Sequence, residues 1–224
     1  MSKNPVIVFE GIEGSGKSYH ISQVSNHLKR KKIDHIKIRE PGGTSNAEKI
    51  RKLILNNKST FNKNTDLLLY LSARSENINM VKKYYKKKII LIDRFIDSTI
   101  AYQHYGLGVD LKLINTINNH ILKDFKVDFT FLNIVSEKNM IKRLRLRKSL
   151  NRYDKFNHNF YQKVQKGFLK LSRKNKGKYE IVNSNLDIDI NRSLIINRIN
   201  KLIWLIKNRL NKPSYMAWVV LLKN

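Results

Sequence analysis

The sequence predicts an α/β fold wound around a five-stranded parallel sheet. Three observations predict it: five short apolar runs bounded by turn residues, helical periodicities between them, and a glycine-rich loop closing the first run where a helix begins. Strands buried on both faces read as continuous apolar runs rather than alternations. Strands that alternate with helices return parallel through right-handed crossovers.

The first strand is PVIVFEG at 5–11, and the helix after it begins within GKS and runs through HISQVSNHLKRKK, where Ile21, Val24 and Leu28 recur at helical spacing. HIKIRE is the second strand, stopped by PGG at 41–43. NAEKIRKLIL and TDLLLYLSARSENINMVKKYY carry helical patterns ahead of the third strand, KIILIDR at 88–94. LKLINTINNHIL precedes the fourth, DFTFLNI at 128–134; SEKNMIKRLRLR follows it, and YEIVNS at 179–184 is the fifth. DINRSLIINRINKLIWLIKNRL reads as a terminal amphipathic helix, and KPSYMAWVVLLKN follows beyond a helix-stopping proline. With no linker, repeat or low-complexity tract, residues 1–210 read as one domain and 211–224 as a C-terminal extension. The extension's apolar stretch from Tyr215 to Leu222 is too short for a membrane span. It leaves three roles open: covering an apolar patch, mediating association, or none.

Composition removes some chemistries. The 224 residues include no cysteine, so disulfides, thiolate zinc sites and cysteine nucleophiles are excluded. The N-terminus enters a strand at once without a signal-peptide pattern, which places the chain in the cytoplasm. A net charge of +28 points to a nucleic-acid or anionic-membrane partner. Against that, the lysines are spread along the chain, and heavy use of Lys, Asn and Ile also follows from AT-rich coding. The densest clusters are KKYYKKK at 82–88 and KRLRLRK at 142–148.

GIEGSGKS at 11–18 matches G-x-x-x-x-G-K-[ST] between a strand and a helix, the context in which that motif cradles a triphosphate. Gly11, Ile12, Glu13, Gly14, Ser15 and Gly16 form the loop around phosphate oxygens. Lys17 reaches the β and γ phosphates, and Ser18 ligates Mg²⁺. No guanine-reading element accompanies the loop. Instead, Arg39 in REPGGT and Arg94 in DRF stand at strand ends, and Arg74 lies on the helix at YLSARSEN. Ligands of parallel sheets bind outside the carboxyl ends of the strands, and the guanidinium fork matches phosphate oxygens, so the three together suggest a phosphomonoester acceptor. Asp93 ends an apolar strand, where a carboxylate needs a cation: Mg²⁺ or its water, or a structural partner such as Arg94.

FEGIEGSGKS, REPGGT, YLSAR, DRFIDSTIAYQ and a basic segment containing NRYD, in this order and spacing, closely resemble the thymidylate kinase family. The resemblance covers the chain to about residue 210 and implies the nucleoside monophosphate kinase fold with a mobile lid. It implies phosphoryl transfer from ATP to dTMP with Mg²⁺, and a homodimer. By position, Tyr70 matches the aromatic that stacks on thymine and Arg74 the arginine at the base edge. Ser98, Thr99 and Gln103 match polar groups around the base, and Tyr102 the tyrosine that crowds the sugar 2′ position. Arg39 and Arg94 match residues that hold the acceptor phosphate, Glu13 the acid at the 3′-hydroxyl, and Asp93 the magnesium neighbourhood. Some members carry a basic residue inside the first loop; this chain has none between Gly11 and Gly16. The catalytic arginine must then come from 142–156, which looks like the lid of the bacterial subtype. Arg147 and Arg152 are expected at the transition state and Arg143 at the anion, while Asp154 stands where the family usually has glutamate. Two rival readings remain: a nucleoside monophosphate kinase of other base preference, and a nucleic-acid-dependent P-loop ATPase. No aromatic-and-basic binding module supports the second.

Overall fold

The computed structural model describes residues 4–210; the extension at 211–224 lies outside the described residues. The five expected strands are present as β1 (Val6–Glu10), β2 (His35–Arg39), β3 (Ile89–Asp93), β4 (Phe129–Ile134) and β5 (Tyr179–Asn183). They form one sheet in the order β2-β3-β1-β4-β5, with every neighbouring pair parallel. Arg39 is in register with Asp93, and Phe9 with Asp93 on the other side, so three strands end together and Glu10 stands one residue beyond. That rim is where the loops of the site meet.

Because side chains alternate across a strand, β1 feeds two cores. Ile7 and Phe9 face Ile21, Val24 and Leu28 of α1 (Lys17–Arg30) together with Ile195 and Ile199 of α8 (Ile188–Leu210). Val6 and Val8 face the other way, toward Ile78 and Val81 of α3 (Lys63–Tyr84) and Leu122 of α5 (Leu111–Leu122). Each such apolar side chain contributes about 1.5–3 kcal/mol when fully buried, which anchors a helix on each face of the sheet. Side-chain caps set the helix starts: Thr44 accepts from Ala47 N–H before α2 (Ser45–Leu55), and Asn62 from Asn64 and Thr65 N–H before α3.

Two elements depart from the expected pattern. The segment after β3 winds as α4 (Ile96–Thr99) and continues as a π-helical stretch, Ile100–Gly106. After α6 (Glu137–Arg145) and a short 3-10 turn at Arg152–Lys155 comes α7 (His158–Lys174), a 17-residue helix that the sequence reading did not name. α7 packs on the π-helical stretch because neither contact point carries a Cβ. A Cβ on Gly167 would come within 2.5 Å of the Tyr105 ring, and one on Gly106 within 2.6 Å of the Phe160 ring. The helix expected over 136–147 ends at Arg145, and the basic run continues as loop.

Candidate active site

A cavity of about 570 Å³ opens at the strand rim, a size suited to a small-molecule ligand. Glu13, Lys17, Ser18, Arg39, Tyr70, Arg74, Asp93, Arg94, Ser98, Thr99, Tyr102, Gln103 and Arg147 line it, so most of the expected site residues do converge. Gly11, Ile12, Gly14, Ser15 and Gly16 form the loop behind it. Arg143 and Arg152 are not among the lining residues.

Chain geometry dictates the first loop. Gly11 has φ 138°, and a Cβ there would sit 2.2 Å from the Asn133 carbonyl of β4, so no other residue fits. Ser15 Oγ donates to the Ile12 carbonyl, and the Ser15 carbonyl accepts from Ser184 Oγ. Arg143 braces the loop from outside, donating to the Gly14 carbonyl at 2.9 Å and to the Ser184 carbonyl at 2.7 Å. Lys17 folds back on the loop, its Nζ donating to the carbonyls of Gly11 (2.8 Å) and Ile12 (2.9 Å). Burial, and then the neighbouring Arg94, push the Lys17 amine down to about 7, against the pull of Asp93, Glu13 and Glu10. Ser18 Oγ donates to Asp93 Oδ2 at 3.1 Å, giving a hydroxyl and a carboxylate side by side at the cavity wall.

Arg94 takes φ 66°, a left-handed conformation that costs a non-glycine residue about 1–3 kcal/mol and persists only where the surroundings enforce it. Its guanidinium donates to the Gly11 carbonyl (3.0 Å) and to Glu13 Oε1 (2.8 Å), and lies 5.2 Å over the Tyr102 ring. The other Glu13 oxygen accepts from the Tyr102 hydroxyl. Burial alone would raise the Glu13 carboxyl, but Arg94, Lys17 and that hydroxyl together hold it below its ordinary range. One carboxylate of the first loop is thus bonded to two residues of the opposite wall.

Arg74 is 1 % exposed, with each guanidinium nitrogen bonded: Nε to Glu40 Oε2 (2.8 Å), Nη1 to Asn118 Oδ1 (2.6 Å) and Nη2 to Thr99 Oγ1 (3.0 Å). Thr99 therefore acts on the cavity through Arg74. Ser98 likewise spends its hydroxyl on Glu10, at 2.5 Å. Glu10 also accepts from the Phe95 and Ser98 N–H groups, and burial with nearby Asp97 raises its carboxyl well above the usual range. Gln103 is different: wholly buried, with neither amide atom partnered among the described residues. A buried amide without partners costs free energy that a polar ligand would recover.

Arg39 is half exposed and forks onto Glu48, at 3.2 and 2.9 Å. Arg51 of α2, which the sequence reading did not single out, lines the same cavity with its Nη1 on the Pro41 carbonyl at 2.6 Å. Its position on the first helix after REPGGT, one turn past Glu48, was the available signal. Arg147 reaches the cavity from the lid segment and pairs with Asp154 at 2.5 Å. Arg152 turns instead to Asp66, with its Nε on the Ile54 carbonyl.

A glycine-rich loop with its lysine, facing five arginine side chains across a cavity at the carboxyl rim of a parallel sheet, defines a P-loop kinase of nucleoside monophosphates. Comparison with known proteins agrees and narrows the class. The family model described as thymidylate kinase matches residues 9–195. The chain is 36% identical to the thymidylate kinase of Acholeplasma laidlawii over 199 residues, 87% of this chain and 98% of that one. It is 41% identical to that of Wolbachia pipientis wMel over 173 residues, 75% and 85% of the two chains. The crystal structure of thymidylate kinase from Ehrlichia chaffeensis superposes with a TM-score of 0.71 at 30% identity, covering 88% of this chain and 98% of that one. The chain belongs to the thymidylate kinase family, enzymes that phosphorylate dTMP to dTDP at the expense of ATP.

Proposed function

We propose that this chain transfers the γ-phosphoryl group of ATP to the 5′-phosphate of dTMP with the residues of this cavity. The observation that carries the acceptor assignment is the unpartnered Gln103 amide, buried in a wall shared with Arg74 and Tyr70. An amide offering both donor and acceptor complements the imide edge of a pyrimidine, with the Tyr70 ring as a stacking face. Tyr102, tied to Glu13, closes the space beside the sugar. Arg39, Arg51 and Arg94 surround the acceptor phosphate.

A phosphate monoester oxygen is already ionised near neutral pH, so the reaction needs no general base; positioning and charge neutralisation supply the catalysis. Lys17 exchanges its loop carbonyls for the β and γ phosphates, and the cavity-facing Arg147 covers the transferred group as the lid at 142–156 excludes water. Arg152, expected beside Arg147, has its guanidinium committed to Asp66, so the phosphate contact is given to Arg147. Ser18 and Asp93 fit Mg²⁺, a cation that takes one or two protein oxygens and completes its shell with water and phosphate. When bound it would offset phosphate charge.

The same reading carries a cytoplasmic homodimer of one kinase domain over 1–210, with no nucleic-acid partner. Among the described residues no helix is long and apolar enough to cross a membrane. A coupled ADP-release assay with dTMP, dUMP, UMP and dCMP tests the assignment. The expected result is the highest kcat/KM for dTMP, and a preference for dCMP or UMP would overturn it.

A further inference from the structure

The lid segment is fastened to the acceptor helix at one buried carboxylate. Asp66 lies in the first turn of α3, is 2 % exposed, and accepts from two consecutive lid residues. The Arg152 guanidinium bonds one of its oxygens and the Tyr153 hydroxyl the other. Arg152 is held on further sides as well. Its Nε donates to the Ile54 carbonyl near the end of α2 at 2.9 Å, and the guanidinium lies 5.6 Å over the Phe61 ring and 4.9 Å over that of Tyr153. An arginine so placed does not leave easily, because its departure would strand a buried carboxylate.

Tyr153 passes the contact onward. Its ring meets those of Tyr70 and Tyr102 edge-on, each with centroids 5.9 Å apart, and both tyrosines line the cavity. On the other side, Asp154 pairs with Arg147 and closes a capping box on Asn151. The chain from Arg147 to Asp154 is therefore one bonded unit, moored at Asp66 and touching the acceptor wall through Tyr153.

We propose that Asp66 is a positioning residue that couples occupancy of the acceptor pocket to placement of the lid, with Arg152 as the mooring and Arg147 as the cation that faces the phosphates. The acceptor's identity rests on the functional reading above. Calorimetric titration of the full chain with AMP-PNP, with and without saturating dTMP, tests the coupling. In the unaltered protein dTMP should tighten AMP-PNP by about fivefold or more, within the usual span of site-to-site coupling. In Asp66→Asn that ratio should fall below about twofold while dTMP alone binds within about threefold of normal, and kcat should drop without a matching rise in KM for dTMP. Tyr153→Phe removes only the hydroxyl contact and should give an intermediate ratio, which keeps the test open if Asp66→Asn does not fold. An unaltered ratio in a folded Asp66→Asn protein, or in Tyr153→Phe where the former is unfolded, would overturn the coupling. So would a ratio near one in the starting protein. Failure of the unaltered protein to bind dTMP at all would strike the functional reading, and the inference with it.

Discussion

Arg74 and Arg147 line the same cavity and are held in opposite ways. Arg74 is 1 % exposed, and carboxylate, amide and hydroxyl fix its fork; the Arg147 side chain is 39 % exposed and has one carboxylate partner. A charge fixed before the ligand arrives presents one geometry and so discriminates. A loosely held charge can follow phosphates whose positions change during transfer. On the proposed reading, the acceptor end selects and the lid end accommodates.

The sharpest way to break this contrast is Arg74→Ala, which leaves Glu40 buried without its cation. Breaking a buried pair costs about 3–5 kcal/mol, and at about 2–4 °C per kcal/mol for a chain this size the melting temperature should fall by roughly 6–20 °C. A thermal melt showing less than about 2 °C would mean that Arg74 is not structurally committed. Lys17→Ala should leave the fold intact and lower kcat by about 10²–10³-fold, as removal of a transition-state donor does. Arg147→Ala should lower kcat by about 10-fold or more with dTMP affinity nearly unchanged and a smaller fall in melting temperature than Arg74→Ala, because the buried Asp154 keeps its bonds from Asn151.

A subtler probe uses the Lys17 amine, held near 7 by burial and by Arg94. A bound triphosphate favours the ammonium form, so binding above pH 7 takes up a proton and affinity should weaken as pH rises. The limit is about tenfold per pH unit. Calorimetry of AMP-PNP binding in two buffers of different ionisation enthalpy would detect that proton. Smallest of all, Glu48→Gln, which loosens the exposed pair with Arg39, should change stability by no more than about 1 kcal/mol in a denaturant titration.

All five strands and the glycine loop were legible because each is a local signal: a short apolar run, or a spacing that only one backbone path satisfies. α7 was not. Its apolar positions Phe160, Tyr161, Val164 and Phe168 have helical spacing, but they follow the lid's basic run and enclose Gly167, whose reason is the Tyr105 ring on another element. Nor does periodicity announce a π-helical stretch, and Ile100–Gly106 is what sets Tyr102 and Gln103 in the wall. The site residues followed the same rule. Lys17, Arg94 and Asp93 sit beside strand ends and were named from the sequence. Arg51 and Asp66 lie on helices where a lone charge looks like solvated surface, and only the fold turns them inward.

With 17 acidic residues against a net charge of +28, where the acids sit matters. Glu10, Glu13, Glu40 and Asp66 are all buried around the cavity, answering its arginines, lysine, hydroxyls and backbone N–H groups. Buried cations offset those acids, so the net charge of +28 is carried by the exterior. The protein should adhere to cation-exchange resin and carry cellular polyanions through purification at low ionic strength, shedding them as salt is raised. Such cargo would reflect how this chain spends its few carboxylates, and would say nothing about its catalysis.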